Sequence, residues 1–131
     1  DAADAWEASA WVTVGGESAV LIAGKKVTAG VARSTILFYD PDDLAAVAAG
    51  TMQTWEPTPY VVMSVDPLMY AAGATISGMA YDSAAQTLYL TEPVSGGGTP
   101  IIHVWRVTPE PASVGLLMLG LAAMARRRIR R

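Results

Sequence analysis

Seven short runs of β-branched and aromatic residues follow one another along the chain, and turn residues separate them. The runs are residues 9–14, 18–23, 35–39, 60–65, 75–81, 87–91 and 100–107. Gly15-Gly16 predicts a tight hairpin between the first two runs, and residues 82–86 predict a hairpin loop between the fifth and the sixth. Because closely spaced short strands are typical of all-β folds, we expect an antiparallel all-β domain.

Residues 40–50 break this pattern and predict one or two turns of helix. Asp40 suits the N-cap, Pro41 suits the first helical position, and Gly50 suits the position after the end. Acidic residues follow the proline, where they favour the start of a helix.

A weak internal repeat suggests how the strands are arranged. Residues 18–22 and 36–40 resemble residues 88–90 and 102–106, and each half has the scale of one propeller blade. We therefore expect a partial β-propeller of about two blades, with an ordinary β-meander or small sandwich as the alternative. Since a propeller ring closes only with about four or more blades, we expect this chain to be the C-terminal part of a longer protein. Its start at Asp1, without a signal peptide, agrees with that expectation.

The last part of the chain changes polarity twice. Residues 108–113 contain prolines and a carboxylate, residues 114–125 are uncharged, and residues 126–131 are mostly arginine. The apolar side chains that predict a transmembrane-type helix are Val114, Leu116, Leu117, Leu119, Leu121 and Met124. The cations that we expect to remain on the cytoplasmic side of the membrane are Arg126, Arg127, Arg128, Arg130 and Arg131.

These segments divide the chain into a β domain over residues 1–107 and a tail over residues 108–131. The uncharged stretch 112–125 is 14 residues long, whereas a full membrane crossing takes about 20. This length suits a segment that is recognised in the bilayer and then cut better than it suits a permanent anchor.

Composition and charge exclude several functions. The chain has 131 residues and no cysteine, so it has neither disulfides nor a thiolate metal site. Residues 1–125 contain twelve acidic and four basic residues, a formal charge of −8. Because an acidic body repels a phosphate backbone, we expect no nucleic-acid partner.

The sequence offers no catalytic, metal or cofactor constellation. His103 is the only histidine, and its place in an apolar run favours a half-buried strand position. Asp40 and its acidic neighbours favour helix capping over calcium binding. Glu92 and Asp82 lie at opposite ends of one hairpin arm, which argues against a glycosidase pair. We therefore expect no metal, no cofactor and no enzymatic activity.

The tail resembles a known sorting signal. Pro109-Glu110-Pro111-Ala112, the apolar segment and the arginine cluster occur in the order of the PEP-CTERM signal. The resemblance implies a Gram-negative bacterium that makes exopolysaccharide, and recognition by an exosortase with processing near the Pro-Glu-Pro element. It implies anchoring in the inner membrane before processing, and then release to the cell envelope or extracellular matrix.

The β domain carries a second, more generic resemblance. Residues 78–82, 87–92 and 101–107 are similar to a blade of bacterial propellers of the NHL or YncE-like kind. This resemblance implies a propeller fold and assigns no catalytic residue.

We therefore expect an exported, membrane-docked β-domain protein that an exosortase sorts. The alternatives are a glycan- or protein-binding propeller, and a fragment of a propeller enzyme whose active site lies in missing blades. Trp55 is the candidate ligand contact, with exopolysaccharide as a possible partner, because residues 53–59 form a polar, proline-rich loop. Aromatic residues in strands, in contrast, usually pack in the core.

Overall fold

The computed structural model describes residues 3–94, 96 and 98–108, which form two antiparallel sheets. The first sheet has the order β1 (Ala5–Val14), β2 (Glu17–Thr28), β3 (Val31–Tyr39) and β4 (Val61–Ser64). The second has the order β5 (Gly78–Asp82), β6 (Thr87–Glu92) and β7 (Ile101–Arg106). In both sheets each strand pairs with its neighbour in sequence, so each sheet is a meander.

Two-residue turns join the three long strands. Gly15 and Gly16 have φ of 62° and 90°, and Val14 pairs with Glu17, so the predicted tight hairpin is confirmed. The next turn is at Ala29 and Gly30, with φ of 50° and 77°. Because a positive φ is uncommon for alanine, the sequence gives little sign of this turn. Residues 24–34, taken above as a connection, instead continue β2 and β3.

The predicted helix is confirmed as α1 (Pro41–Ala48). The Asp40 side chain accepts a hydrogen bond from the Asp42 N–H at 2.9 Å, which satisfies one of the free donors at the helix start. Gly50 has a φ of 73°, the left-handed conformation that commonly follows a helix end. The helix contacts β2, and none of its own residues is buried.

One hydrophobic core joins the two sheets. Its buried members are Ala8, Val12, Leu21, Ala23, Ile36, Val65, Ile76, Leu88 and Leu90. The first strand contacts β5 along this core, and the Tyr81 hydroxyl donates to the Thr13 carbonyl oxygen at 2.9 Å. The connection between the sheets, residues 65–77, carries the buried core residues Val65 at its start and Ile76 near its end.

The predicted fold class, a partial β-propeller with a C-terminal transmembrane-type helix, is wrong. The described residues form a four-stranded and a three-stranded meander around one core. The error arose because residues 24–34 extend two strands, so β1, β2 and β3 have 10, 12 and 9 residues where short strands were expected. The arrangement fits the alternative of an ordinary β-meander.

The transmembrane part of that prediction is corrected as well. In the part of the chain that the structure describes, no helix combines the length and apolarity that crossing a membrane requires. Residues 114–125 and the arginines of residues 126–131 lie outside the described residues. The division at residue 107 stays a prediction.

Candidate functional site

The predicted sorting segment follows directly on the edge strand of the second sheet. After β7, the Val107 N–H donates to the Gln86 carbonyl oxygen at 2.8 Å, and the Val107 side chain packs against the core. Thr108 is exposed and is the last described residue. The described residues do not include Pro109, Glu110, Pro111 and Ala112. The residue that precedes Thr108, Val107, is fixed to the domain by its hydrogen bond and its core contact.

Trp55 lies in the connection between α1 and β4. A local turn presents it, because the Gln53 N–H donates to the Glu56 carboxylate at 2.6 Å and the Glu56 N–H donates to the Gln53 carbonyl oxygen at 3.1 Å. The Trp55 side chain is 76% exposed. The ring is therefore open to a ligand, and its binding role stays a prediction.

A buried carboxylate that sequence reasoning did not assign to any site lies at the end of β6. Glu92 is 1% exposed, and its two oxygens accept hydrogen bonds from the Tyr70 N–H at 2.9 Å and the Ala71 N–H at 2.8 Å. His103 Nε2 lies 2.8 Å from the same carboxylate. Since a carboxylate only accepts hydrogen bonds, the His103 ring donates from Nε2.

The electrostatics of Glu92 follow from these contacts. Burial by itself raises the pKa of the Glu92 carboxyl, but the N–H groups of Tyr70 and Ala71 and the His103 ring outweigh burial. The pKa of Glu92 is therefore held below its ordinary value. The side chain is an anion inside the domain and anchors the segment that crosses between the sheets.

A second carboxylate anchors the same connection to the first sheet. Asp66 Oδ1 accepts hydrogen bonds from the Ser34 N–H at 3.0 Å and the Gly73 N–H at 2.7 Å. These two N–H groups hold the pKa of the Asp66 carboxyl below its ordinary value. Ser34 is buried in β3 and also donates its hydroxyl to the Ala74 carbonyl oxygen at 2.7 Å. Residues 66–74 are thus attached to both sheets.

An open cleft of about 410 Å³ lies beside this connection, lined by residues 70–75 and 92–94. Among the described residues that line it, the ionisable groups are Glu92, whose oxygens are already hydrogen-bonded, and Tyr70. Within the described residues, no group of three or more histidines, cysteines or acidic residues is placed to hold a metal ion. The contacts of Glu92, His103 and Asp66 are structural, because the carboxylate oxygens in these contacts accept hydrogen bonds from the protein itself.

The signal that could have identified Glu92 is the period-two pattern of the hairpin. Leu88 and Leu90 are buried on one face of β6, and Glu92 continues that face. On the neighbouring strand β7, His103 pairs with Leu90 and is therefore diagonal to Glu92, which places a proton donor next to the carboxylate. The partners Tyr70 and Ala71 come from a distant loop, and no local pattern indicates them.

The other candidate residues considered above occupy positions in strands and loops. His103 is half-buried in β7, as expected, with its ring centroid 6.3 Å from that of Trp105. Asp82 accepts from the Ala84 N–H at 2.9 Å in the predicted hairpin loop, apart from the Glu92 cluster. Gly24, a position that was not a candidate above, lies inside β2, where a side chain would collide with the Ala5 carbonyl.

Comparison with known proteins identifies the tail. The model of a family described as the PEP-CTERM protein-sorting motif matches residues 107–131. No curated protein and no solved structure matches the chain. The motif implies export with a membrane-associated C-terminal sorting signal and recognition by an exosortase. The chain thus carries a PEP-CTERM sorting motif directly after the last strand of a two-sheet β domain.

Proposed function

We propose that this protein is an exported, non-enzymatic β-domain protein that an exosortase cuts near the Pro-Glu-Pro element and passes to the cell envelope or extracellular matrix. The observation that carries the proposal is the match of the PEP-CTERM motif to residues 107–131. The tail brings the chain to the membrane, and the β domain is the part that is delivered.

The position of the motif supports this proposal. The last described strand ends at Arg106, and Thr108 is exposed. Pro109 and Pro111 have fixed φ and lack backbone N–H groups, so they disfavour further sheet pairing. A segment that begins after the exposed Thr108 and disfavours sheet pairing suits a membrane protease, which must bind its substrate in an accessible form.

The chemistry of the described residues supports a non-enzymatic role. His103, the sole histidine, is 13% exposed in its side chain and is held by Glu92. Catalysis by this imidazole would require it to give up its hydrogen bond with Glu92. We therefore propose that the domain acts by binding a partner and not by catalysis.

Trp55 supports exopolysaccharide as the partner of the delivered domain. An exposed aromatic face provides a stacking surface of large area, and the Trp55 side chain is 76% exposed on the Gln53–Glu56 turn. This assignment is separate from sorting, because Trp55 lies in the domain and not in the tail.

The sorting proposal is tested by replacing Pro109, Glu110 and Pro111 with alanine in the full chain within its host. We expect the mass reduction that accompanies processing to disappear and the protein to accumulate in the membrane fraction. Deleting the exosortase of the host should give the same result with the unchanged chain. Unchanged processing and location in the alanine variant would refute the proposal.

The chain contains its own matched control for this experiment. Glu56-Pro57-Thr58-Pro59 has a similar composition but lies in an exposed loop of the domain. Replacing Glu56, Pro57 and Pro59 with alanine should leave processing intact. Loss of processing in this control would show that the effect is not specific to the tail.

A further inference from the structure

One edge of the first sheet is apolar and open. The strand order places β4 at that edge, and all four of its residues are exposed. Val61, Val62 and Met63 are 42%, 54% and 38% exposed. Within the residues that the structure describes, no strand pairs with the outer side of β4.

The ladder between β3 and β4 shows which main-chain groups of β4 face outward. The Val65 N–H donates to the Ser34 carbonyl oxygen at 2.9 Å. Because N–H and C=O directions alternate along an antiparallel strand, Val62 and Ser64 point these groups away from β3. The edge therefore offers donors and acceptors to a further strand.

β4 lacks the protection that the other outer strands carry. Natural sheets often keep edge strands apart with charged side chains. The outer strands β1, β5 and β7 contain Glu7, Asp82 and Arg106, respectively, whereas residues 60–65 contain no charged side chain. An exposed edge strand without charge is a template for pairing with another chain.

We propose that β4 pairs with β4 of a second copy of this chain, antiparallel and about a twofold axis. The two four-stranded sheets then become one continuous sheet. In the register that uses every outward group, Val62 of one copy lies opposite Ser64 of the other, and each such pair exchanges both of its N–H···O=C hydrogen bonds. Met63 then lies opposite Met63 of the second copy.

The side chains at this edge suit a second copy as the occupant. Met63 pairs with the buried Ile36, and Val61 pairs with Phe38, which packs against the core. The same two side chains from the second copy would therefore continue the core face of the sheet. An uncharged edge offers no ion pair to a charged partner segment, which also favours a second copy.

The flanks of the strand limit the assembly to two copies. Pro59 and Pro67 lie on either side of the edge, and because proline has no N–H to donate, they disfavour a longer ladder. Each copy has one β4, and the pair uses both. The assembly therefore closes as a symmetric dimer. This inference concerns the folded domain and does not depend on sorting.

The charge of the domain gives the dimer a characteristic response to salt. Residues 1–108 contain eleven acidic and four basic residues, so two copies repel each other at long range. Because added salt screens this repulsion and the paired edges are uncharged, we expect salt to strengthen dimerisation. A basic partner segment would instead bind more weakly as salt is added.

Sedimentation of the full chain, in excess detergent micelles that accommodate the apolar tail, measures dimerisation. Since the interface is small, we expect a weak dimer whose population rises over a range of about a hundredfold in protein concentration. Val62→Lys places a cation at the paired edge in both copies and should raise the dimer dissociation constant by about tenfold. Val62→Pro, which removes an outward N–H and leaves the ladder with β3 intact, should act in the same direction. Val104→Lys is the matched control, because Val104 is 59% exposed but lies on β7 of the second sheet.

Single introduced thiols test the register, because the sequence contains no cysteine. Met63→Cys places two thiols directly opposite each other, within the range of a disulfide. Val62→Cys places them on diagonal positions about 7–8 Å apart, which is beyond the usual range. On mild oxidation we expect Met63→Cys to form a covalent dimer and Val62→Cys to stay mainly monomeric.

Several results would overturn the proposal. A full chain that stays monomeric at every concentration is one, and a dimer that Val62→Lys and Val104→Lys weaken equally is another. Equal disulfide yields from Met63→Cys and Val62→Cys would refute the paired edge. In the host, a Met63→Cys chain that joins a different protein and never its own copy would assign the edge to that partner.

Discussion

Replacing Glu92 with glutamine tests whether the buried carboxylate anchors the connection between the two sheets to the second sheet. The substitution keeps the shape of the side chain but removes its charge and turns one acceptor oxygen into a donor. The Tyr70 N–H, the Ala71 N–H and His103 Nε2 all point at this group from 2.8 to 2.9 Å. In the variant, at least one of these three donors therefore faces the amide NH2 group of glutamine, which is also a donor.

The magnitude follows from burial and from the number of contacts. Hydrogen bonds to charged groups contribute about 1.5–3 kcal/mol each, and a buried donor left without an acceptor costs about 1–3 kcal/mol. Glutamine keeps one acceptor, so we expect Glu92→Gln to lower the free energy of unfolding by about 3 kcal/mol. For a domain whose total stability is about 5–15 kcal/mol, this is a large fraction.

Urea unfolding of the full chain, followed by tryptophan fluorescence, measures this change. The Trp105 ring is 6.3 Å from the His103 ring, so one reporter lies beside the perturbed site. Glu7→Gln is the matched control, because Glu7 is an exposed glutamate within a strand and its loss should change stability by less than about 0.5 kcal/mol. A change below about 0.5 kcal/mol in Glu92→Gln itself would refute the anchoring role.

The same variant has a defined effect on pH dependence. The pKa of Glu92 is lowered in the folded chain, so the folded state binds the proton less tightly than the unfolded state does. Its contribution to stability is therefore present above the unfolded pKa of about 4.3 and is lost as pH falls through the lower folded value. We expect Glu92→Gln to reduce the loss of stability in this acid range. If the variant and the unchanged chain lost the same stability as pH falls, this assignment of Glu92 would be contradicted.

Three further outcomes are expected. Asp66→Asn should lower the free energy of unfolding by about 1–2 kcal/mol in the same urea assay, because the part-buried N–H groups of Ser34 in β3 and Gly73 in the connection lose a charged acceptor; a stability equal to the unchanged chain would contradict this. Gly24→Ala should lower the free energy of unfolding by about 1–3 kcal/mol, since its Cβ would collide with the Ala5 backbone and push β1 from β2. An unchanged free energy of unfolding would show that the two strands can move apart without loss of stability. Trp55→Ala should leave stability within about 0.5 kcal/mol, since the side chain is largely exposed, but weaken retention of the domain on the host's exopolysaccharide. Unchanged retention would remove Trp55 from the binding surface.

Local features of this protein could be predicted from its sequence. The glycine pair at Gly15, the Asp40 cap and the seven apolar runs each depend on residues close together in the chain, so propensity and periodicity are sufficient. The sorting motif is equally local, because the order of its three segments is its defining feature. This explains why residues 107–131 matched a known motif although no curated protein matched the chain.

Only the tertiary structure decided how these elements combine. The turn at Ala29 has no glycine at its first position, so the length of β2 and β3 depended on their pairing with each other and with β1. The role of Glu92 likewise depends on donors 21 and 22 residues earlier in the chain. Burial of a carboxylate is stable only where enough donors converge on it, and that convergence is a property of the folded chain rather than of any segment.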